Sequence, residues 1–102
     1  MLTTKRKPVS VGEILVEEFM RPLALTQTAL AGAMGAPRKH VNELCNDRRR
    51  VTAATALILA TVFGNTPEFW LNAQRRVDLW EAMHDPHEQA RVARAKPVGA
   101  AA

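Results

Sequence analysis

Five basic residues lie in one short central segment of the chain. Residues 36–52 carry a net charge of +3, out of +4 for all 102 residues. Guanidinium and ammonium groups donate to phosphate oxygens and to the O6 and N7 acceptors of guanine. A focused positive block therefore favours a polyanionic partner, although a solvated basic surface has the same composition. The five residues are Arg38, Lys39, Arg48, Arg49 and Arg50.

The residues around this block have the pattern of a helix-turn-helix. Residues 27–46 predict two helices of about eight residues on either side of a tight turn at Gly35. Such a pair needs a small residue where the helices cross and an aliphatic residue that locks the second helix. Ala31 and Val41 occupy those positions, and Leu44 adds a fourth core contact. A plain helical hairpin inside a bundle is the alternative.

The second helix of such a motif lies in the major groove, with its first turns toward the base edges. Arg38 or Lys39 can bond to guanine, Glu43 can accept from cytosine N4, and Asn42 can reach adenine or phosphate. As alternatives, Arg38 and Lys39 form only a solubilising face, and Glu43 pairs with Lys39 at helical spacing. The expected base contacts are Arg38, Lys39, Asn42 and Glu43.

A second group of polar residues flanks the predicted recognition helix. Gln27 begins the first helix of the motif, where backbone amides and a side-chain amide can hold a phosphate. The residues after the recognition helix would follow the phosphates of the duplex. The expected backbone contacts are Gln27, Thr28, His40, Asn46, Arg48, Arg49 and Arg50.

Start and stop signals divide the rest of the chain into helices. Hydroxyl or proline residues precede stretches whose apolar residues recur at helical spacing, and glycine or proline ends them. A short sixth helix is expected from Asp85-Pro86 to about Ala95, and alternating strand patterns are absent. The fold is therefore predicted to be all-α, with five helices and a sixth. The starts are at Ser10, Thr26, Pro37, Thr52 and Thr66, and the stops are at Pro22, Gly35 and Gly64.

The same signals suggest the organisation of the chain. Residues 1–9 are expected to form a basic flexible tail, and residues 10–82 a helix-turn-helix domain. Residues 83–95 would form a C-terminal helical extension, followed by a second flexible tail over residues 96–102.

Composition excludes several classes of protein. No apolar run approaches the roughly 18 residues of a membrane helix, so no membrane contact is expected. A single cysteine, Cys45, cannot form an internal disulfide and favours the cytoplasm. No nucleophile, base or paired acids group as in an enzyme, and no cofactor motif is present. His84 and His87 are too few ligands for a metal site, so none is expected.

The chain resembles the HigA/VapI-type antitoxins, with the helix-turn-helix of the Xre/Cro-like (lambda-repressor-like) repressors. The resemblance covers residues 11 to about 80, and its most specific part is the Phe69-Trp70-Leu71 block with Gln74. It implies a DNA-binding antitoxin that represses its own operon and neutralises a small, basic ribonuclease toxin. Ala36-Pro37 departs from the family, which usually has a serine or threonine cap there. Further matching stretches are Gly12-Glu13-Ile14-Leu15, Leu25-Thr26-Gln27, Asn46-Asp47-Arg48-Arg49, Val51-Thr52 and Phe63-Gly64.

The resemblance also implies a homodimer on a palindromic operator, because repressors of this type read two half-sites. The 66–95 region holds more large apolar residues than one small core can cover, so it is the expected interface. Three other functions stay open: a regulator with no toxin beside it, a protein whose main task is to cover a toxin, and an RNA-binding module. The expected interface residues are Trp70, Val77, Leu79, Trp80 and Met83.

Overall fold

The computed structural model describes residues 6–99, and every regular element in that range is helical. The prediction of an all-α fold is confirmed, with the sixth helix present. The elements are α1 (Val11–Ile14), a π-helical segment that continues it (Leu15–Met20), α2 (Gln27–Met34), α3 (Arg38–Cys45), α4 (Ala53–Phe63), α5 (Pro67–His84) and α6 (Pro86–Arg94). None of these helices is long and apolar enough to cross a lipid bilayer.

Side-chain caps begin five of the helices where the sequence predicted a start. The hydroxyl of Ser10 accepts from the Glu13 amide at 3.1 Å, and that of Thr26 from the Ala29 amide at 3.0 Å. These bonds satisfy amides that have no partner within the helix. The same arrangement begins α4 at Thr52, α5 at Thr66 and α6 at Asp85.

The first helix departs from the regular geometry that its pattern predicts. The Arg21 amide donates to the Val16 carbonyl at 2.9 Å, a bond over five residues instead of four. This wider turn places Leu15 and Met20, five residues apart, on the same buried face. Sequence periodicity indicated the helix and its end near Pro22, but not the change in its winding.

Trp70 lies at the centre of the core. Its side chain is 0% exposed, and its ring centroid is 4.9 Å from that of Phe19 and 5.9 Å from that of Phe63. The indole nitrogen donates to Asn65 Oδ1 at 2.9 Å, which satisfies its one polar group. The predicted core residues of the motif, Ala31, Val41 and Leu44, are buried around the same cluster.

This burial corrects part of the predicted dimer interface. Trp70 is not available to a partner because it fills the core of its own protomer, and Val77 is only 9% exposed. Leu79 is 41% exposed, while Trp80 and Met83 are half-buried. Of the five predicted interface residues, these three therefore remain at the surface. The five residues were chosen because the 66–95 region is rich in large apolar side chains, and that richness cannot tell which of them face the core.

The ends of the chain also differ from the predicted tails. Lys7 was expected in a flexible tail. Its Nζ atom lies 3.4 Å from Oε2 of Glu81 on α5 and over the ring of Trp80. α5 runs through to His84 without a break, so the expected boundary at residue 83 falls inside a helix. Residues 96–99 are exposed and non-helical. The parts of the predicted tails at residues 1–5 and 100–102 lie outside the described residues.

Candidate nucleic-acid interface

The turn between α2 and α3 sets the direction of the recognition helix. Gly35 ends α2 in the left-handed region, with φ of 66°, and the Ala36 amide donates back to the Ala31 carbonyl at 3.0 Å. Val41 and Leu44 then hold the inner face of α3 in the core. The outer face and the first turn of α3 are left at the surface.

The first turn of α3 carries two exposed cations. Arg38 and Lys39 follow Pro37, which begins the helix without a side-chain cap. Neither side chain forms a hydrogen bond or ion pair with another residue between 6 and 99. Their charges therefore remain available to an anion outside the protomer.

Two expected nucleic-acid contacts lie together where α2 meets α3. Asn42 Nδ2 donates to Gln27 Oε1 at 3.1 Å, and both side chains are half-buried. The pair joins the beginning of the first helix to the middle of the second. This bond fixes the orientation of both side-chain amides. It leaves the side-chain nitrogen of Gln27, Nε2, to donate to another group.

Glu43 is held by an arginine from the loop that follows α3. Arg49 donates to Glu43 Oε1 from Nε at 3.0 Å and from a terminal nitrogen at 2.7 Å. This bond, with the charge of Arg49, lowers the pKa of the Glu43 carboxyl below its usual value. Its direct partner is thus Arg49, where the sequence had suggested Lys39 as an alternative. The second carboxylate oxygen, Oε2, takes no part in the pair.

The half-buried ring of His40 has its Nε2 atom turned toward the interior of the protein. Its Nε2 atom is buried and has no hydrogen-bond partner in the described part of the chain. Burial, with the charge of Arg49, lowers the pKa of His40, and the carboxylate of Glu43 opposes this shift. In this conformation Nε2 is shielded from solvent, and a contact between the rest of the half-buried ring and the DNA backbone stays a prediction.

The loop over residues 46–52, here called the arginine loop, is tied to α5 by a network that sequence reasoning missed. Arg50 forms a bidentate ion pair with Asp78, whose Oδ1 is 2.9 Å from one guanidinium nitrogen. Gln74 donates to the same oxygen at 2.9 Å and accepts from the Val51 amide at 3.0 Å. Gln74 was singled out only as part of a motif, and its spacing of four residues from Asp78 was the available signal.

A second tie joins the arginine loop to the start of α1. The Gly12 amide donates to Asp47 Oδ1 at 2.8 Å, and Asp47 itself has a positive φ of 57°. A Cβ on Gly12 would lie 2.5 Å from the Cys45 carbonyl oxygen and 2.8 Å from that of Leu44. Only glycine permits α1 and the end of α3 to approach this closely.

The remaining predicted contacts have different surroundings. Arg48 is exposed and forms no ion pair with any residue in the described range, and Thr28 is exposed on α2. Asn46 is exposed but donates to the Asn42 carbonyl at 2.8 Å, at the end of α3. An open cleft of about 300 Å³ lies beside the loop, and its charged lining consists of cations and of the acidic residues Asp47, Asp78 and Glu81. Between residues 6 and 99, no three histidine, cysteine or acidic side chains gather as metal ligands would.

Proteins of known sequence and structure resemble this chain over most of its length. The helix-turn-helix family profile matches residues 16–71. Antitoxin HigA-1 of Vibrio cholerae is 50% identical over 91 residues, covering 89% of this chain and 86% of that protein. Antitoxin GraA, solved in complex with its operator, matches with a TM-score of 0.83 at 34% identity, over 98% of this chain and all of the other. The Pseudomonas aeruginosa antitoxin HigA, solved with the higBA promoter, matches with a TM-score of 0.81 at 28% identity, over 91% and 100%.

Proposed function

This chain belongs to the helix-turn-helix family that includes the HigA antitoxins, and from that premise we propose that it is a sequence-specific repressor of its own promoter. The observation that carries the proposal is the exposed, unpaired state of Arg38 and Lys39 on the first turn of α3. In a helix-turn-helix this turn meets the base edges of the major groove. The operator is double-stranded DNA with two half-sites.

Arg38 and Lys39 read guanine in this proposal. Their side chains are long enough to reach O6 and N7, and no internal ion pair must be broken first. Each good bidentate contact of this kind discriminates between bases by about 1–3 kcal/mol. Arg48, likewise unpaired, lies beyond the end of α3 and contacts a phosphate, as do Gln27 and Thr28 at the start of α2.

Asn42 and Glu43 act on bases in fixed orientations. The bond between Asn42 and Gln27 holds one amide against the other, so one can bind a base edge while the other binds the backbone. Arg49 partly neutralises Glu43 and leaves Oε2 to accept from cytosine N4. Without that arginine, the carboxylate would repel the neighbouring phosphates.

Arg49 and Arg50 thus have internal roles. Both were expected to follow the phosphates, but one is bound to α3 and the other to α5. We assign them to holding the arginine loop in place, with Arg48 as the loop's principal phosphate contact. Their charges still contribute to the general attraction for DNA, although less than that of an unpaired cation.

The second half of the proposal is that the chain neutralises a small, basic ribonuclease toxin in the cytoplasm. It does so by binding, without a cofactor or a catalytic step of its own. Co-expression with the product of the adjacent gene tests this part: a stable complex and relief of growth arrest are expected. If growth arrest persists and no complex forms, we would conclude that this chain is a regulator that acts without that toxin.

The DNA-binding half is tested by fluorescence anisotropy with a labelled fragment of the chain's own promoter. Affinity should exceed that for a random duplex of equal length and should fall steeply as salt is raised, because bound phosphates release counterions. Equal affinity for both duplexes at every salt concentration would refute a sequence-specific repressor.

A further inference from the structure

Lys7 is held against α5 by two weak contacts. Its Nζ atom lies 3.4 Å from Oε2 of Glu81 and 5.9 Å from the centre of the Trp80 ring. About half of the Lys7 side chain and half of the Glu81 side chain are exposed to solvent. A single exposed contact of this length contributes little to stability, because water and salt screen it. The ammonium group of Lys7 can therefore exchange Glu81 for another anion.

The ion pairs of Arg49 and Arg50 are of a different kind. Arg49 donates to Glu43 from two nitrogens, at 3.0 and 2.7 Å, and Arg50 binds both carboxylate oxygens of Asp78. Guanidinium pairs with two hydrogen bonds are stronger and more directional than the single contact of a lysine. Of these three cations, Lys7 leaves its carboxylate most readily.

Lys7 lines the open cleft beside the arginine loop, together with Arg48, Arg49 and Arg50. Arg49 also binds Glu43 on α3, so the cleft adjoins the recognition helix. Arg48 forms no ion pair with another residue in the described part of the chain. The cleft thus brings one unpaired guanidinium and one weakly held ammonium group to the edge of the proposed DNA-binding surface.

The carboxylates of the same cleft do not stop an anion from entering. Asp78 is paired with Arg50, and one oxygen of Asp47 accepts from a backbone amide at 2.8 Å. Glu81 is about half exposed, so water can solvate its charge when Lys7 turns away. An entering anion therefore meets two acids that are already bound and one that solvent screens.

The chain around Lys7 limits where its ammonium group can go. Pro8 favours an extended backbone at Lys7, and Ser10 is the N-cap of α1. Three extended residues span about 11 Å at most, so Lys7 stays within that distance of Ser10, which also lines the cleft. The flexible four-carbon stem of lysine lets the ammonium group turn from α5 toward the cleft while the helices stay in place.

We propose that this cleft binds a backbone phosphate of the operator between Arg48 and Lys7, and that Lys7 leaves Glu81 and Trp80 to make the contact. The inference rests on the proposed function, because it adds a phosphate contact, outside the helix-turn-helix, to the same DNA-binding surface. Contacts with phosphate add affinity and fix register but do not read sequence. Lys7 therefore strengthens the binding of promoter and random duplex by the same factor.

Anisotropy titrations of the full chain between about 50 and 200 mM salt test the contact. Lys7→Gln should reduce the slope of log affinity against log salt by about 1 on both duplexes, because one phosphate contact is lost. Over that range the wild type should lose about fourfold more affinity than the variant. Lys96→Gln removes the same charge after α6 and is the matched control, which should keep the wild-type slope. A wild-type slope for Lys7→Gln, or an equal reduction for Lys96→Gln, would overturn the proposal.

A double-mutant cycle tests whether Glu81 competes with the phosphate. Glu81→Gln should raise the affinity for both duplexes by about two- to fivefold, the strength of an exposed ion pair, because Lys7 no longer has to leave a carboxylate. The same change in the Lys7→Gln background should have little effect. An equal gain in both backgrounds would mean that Glu81 acts only as a negative charge near DNA. That result, or no gain in either background, would overturn the exchange.

The same titrations separate this inference from the proposed function. If the wild type prefers the promoter while Lys7→Gln keeps the wild-type slope, the repressor stands and the contact at Lys7 does not. If the wild type does not distinguish the duplexes while Lys7→Gln lowers the slope, the contact stands on a protein that binds DNA without specificity. Circular dichroism and thermal midpoints equal to those of the wild type should show that every variant is folded.

Discussion

The first turn of α3 and the arginine loop carry similar charges and use them differently. Arg38 and Lys39 extend from the helix without a bonding partner between residues 6 and 99, whereas Arg49 and Arg50 are bound to Glu43 and Asp78. Equal formal charges therefore do not make equal contributions to a DNA-binding surface. The difference is whether a carboxylate of the same protomer already forms an ion pair with the cationic group.

The largest effect is expected where the arginine loop meets α1. Gly12→Ala introduces a Cβ 2.5 Å from a carbonyl oxygen, so α1 and the end of α3 must move apart. We expect a loss of about 1–3 kcal/mol in the free energy of unfolding, as for overpacked cores. Urea denaturation measures it.

Gly32→Ala is the matched control, since its Cβ would meet no atom within 4 Å on an exposed turn of α2. It should stabilise the protein by about 0.5–1 kcal/mol, because alanine is the better helix former. If Gly12→Ala were as stable as the wild type, the close approach would not fix the loop.

A smaller effect distinguishes two neighbouring arginines of the loop. Arg48→Ala should weaken binding to every duplex alike and reduce the slope of log affinity against log salt by about 1, because one phosphate contact is lost. Arg50→Ala should leave that slope nearly unchanged, since Asp78 already holds its guanidinium. Anisotropy titrations between low and moderate salt measure both slopes. Equal slopes for the two variants would show that Arg50 is as available to phosphate as Arg48.

The smallest effect concerns pH and His40, which is half-buried on α3. Because the pKa of His40 is lowered in the folded protein, the unfolded chain binds more protons than the folded chain below about pH 6.5. Stability should therefore fall as pH drops through this range and return as pH rises. The thermal midpoint should be measured against pH between pH 5 and 8 for the wild type and for His40→Gln. The midpoint of the wild type should fall more steeply toward low pH than that of the variant. Parallel curves would mean that His40 is not the group responsible.

Local signals in the sequence predicted most of the fold. The hydroxyl and proline caps, Gly35 in its turn and the buried positions of α2 and α3 follow from interactions between residues close in the chain. The ties of the arginine loop join residues far apart: Arg50 is 28 residues from Asp78, and Gly12 is 35 from Asp47. Helical periodicity contains no information on such distant pairs. The sequence therefore predicted the same role, a contact with phosphate, for Arg48, Arg49 and Arg50.

Trp70 illustrates the same limit in the core. Its spacing with Val77 and Trp80 indicated a helix face, but the ring partners that bury it, Phe19 and Phe63, come from two other elements. A surface apolar residue and a core residue have the same pattern until those elements are placed. Leu57 shows the converse limit: it is 58% exposed although it lies in α4, a helix without a charged residue, so the pattern alone does not show which side faces the core.

The most direct test of the account compares Arg38→Ala with Arg50→Ala in their discrimination between the promoter and a random duplex. Arg38 is unpaired at the start of α3, so its loss should reduce the preference for the promoter by about 1–3 kcal/mol, or up to roughly a hundredfold. Arg50 is bound to Asp78, so its loss should leave the ratio of the two affinities close to that of the wild type. Equal losses of discrimination in the two variants, or a loss confined to Arg50→Ala, would contradict the division between a reading helix and a structural loop.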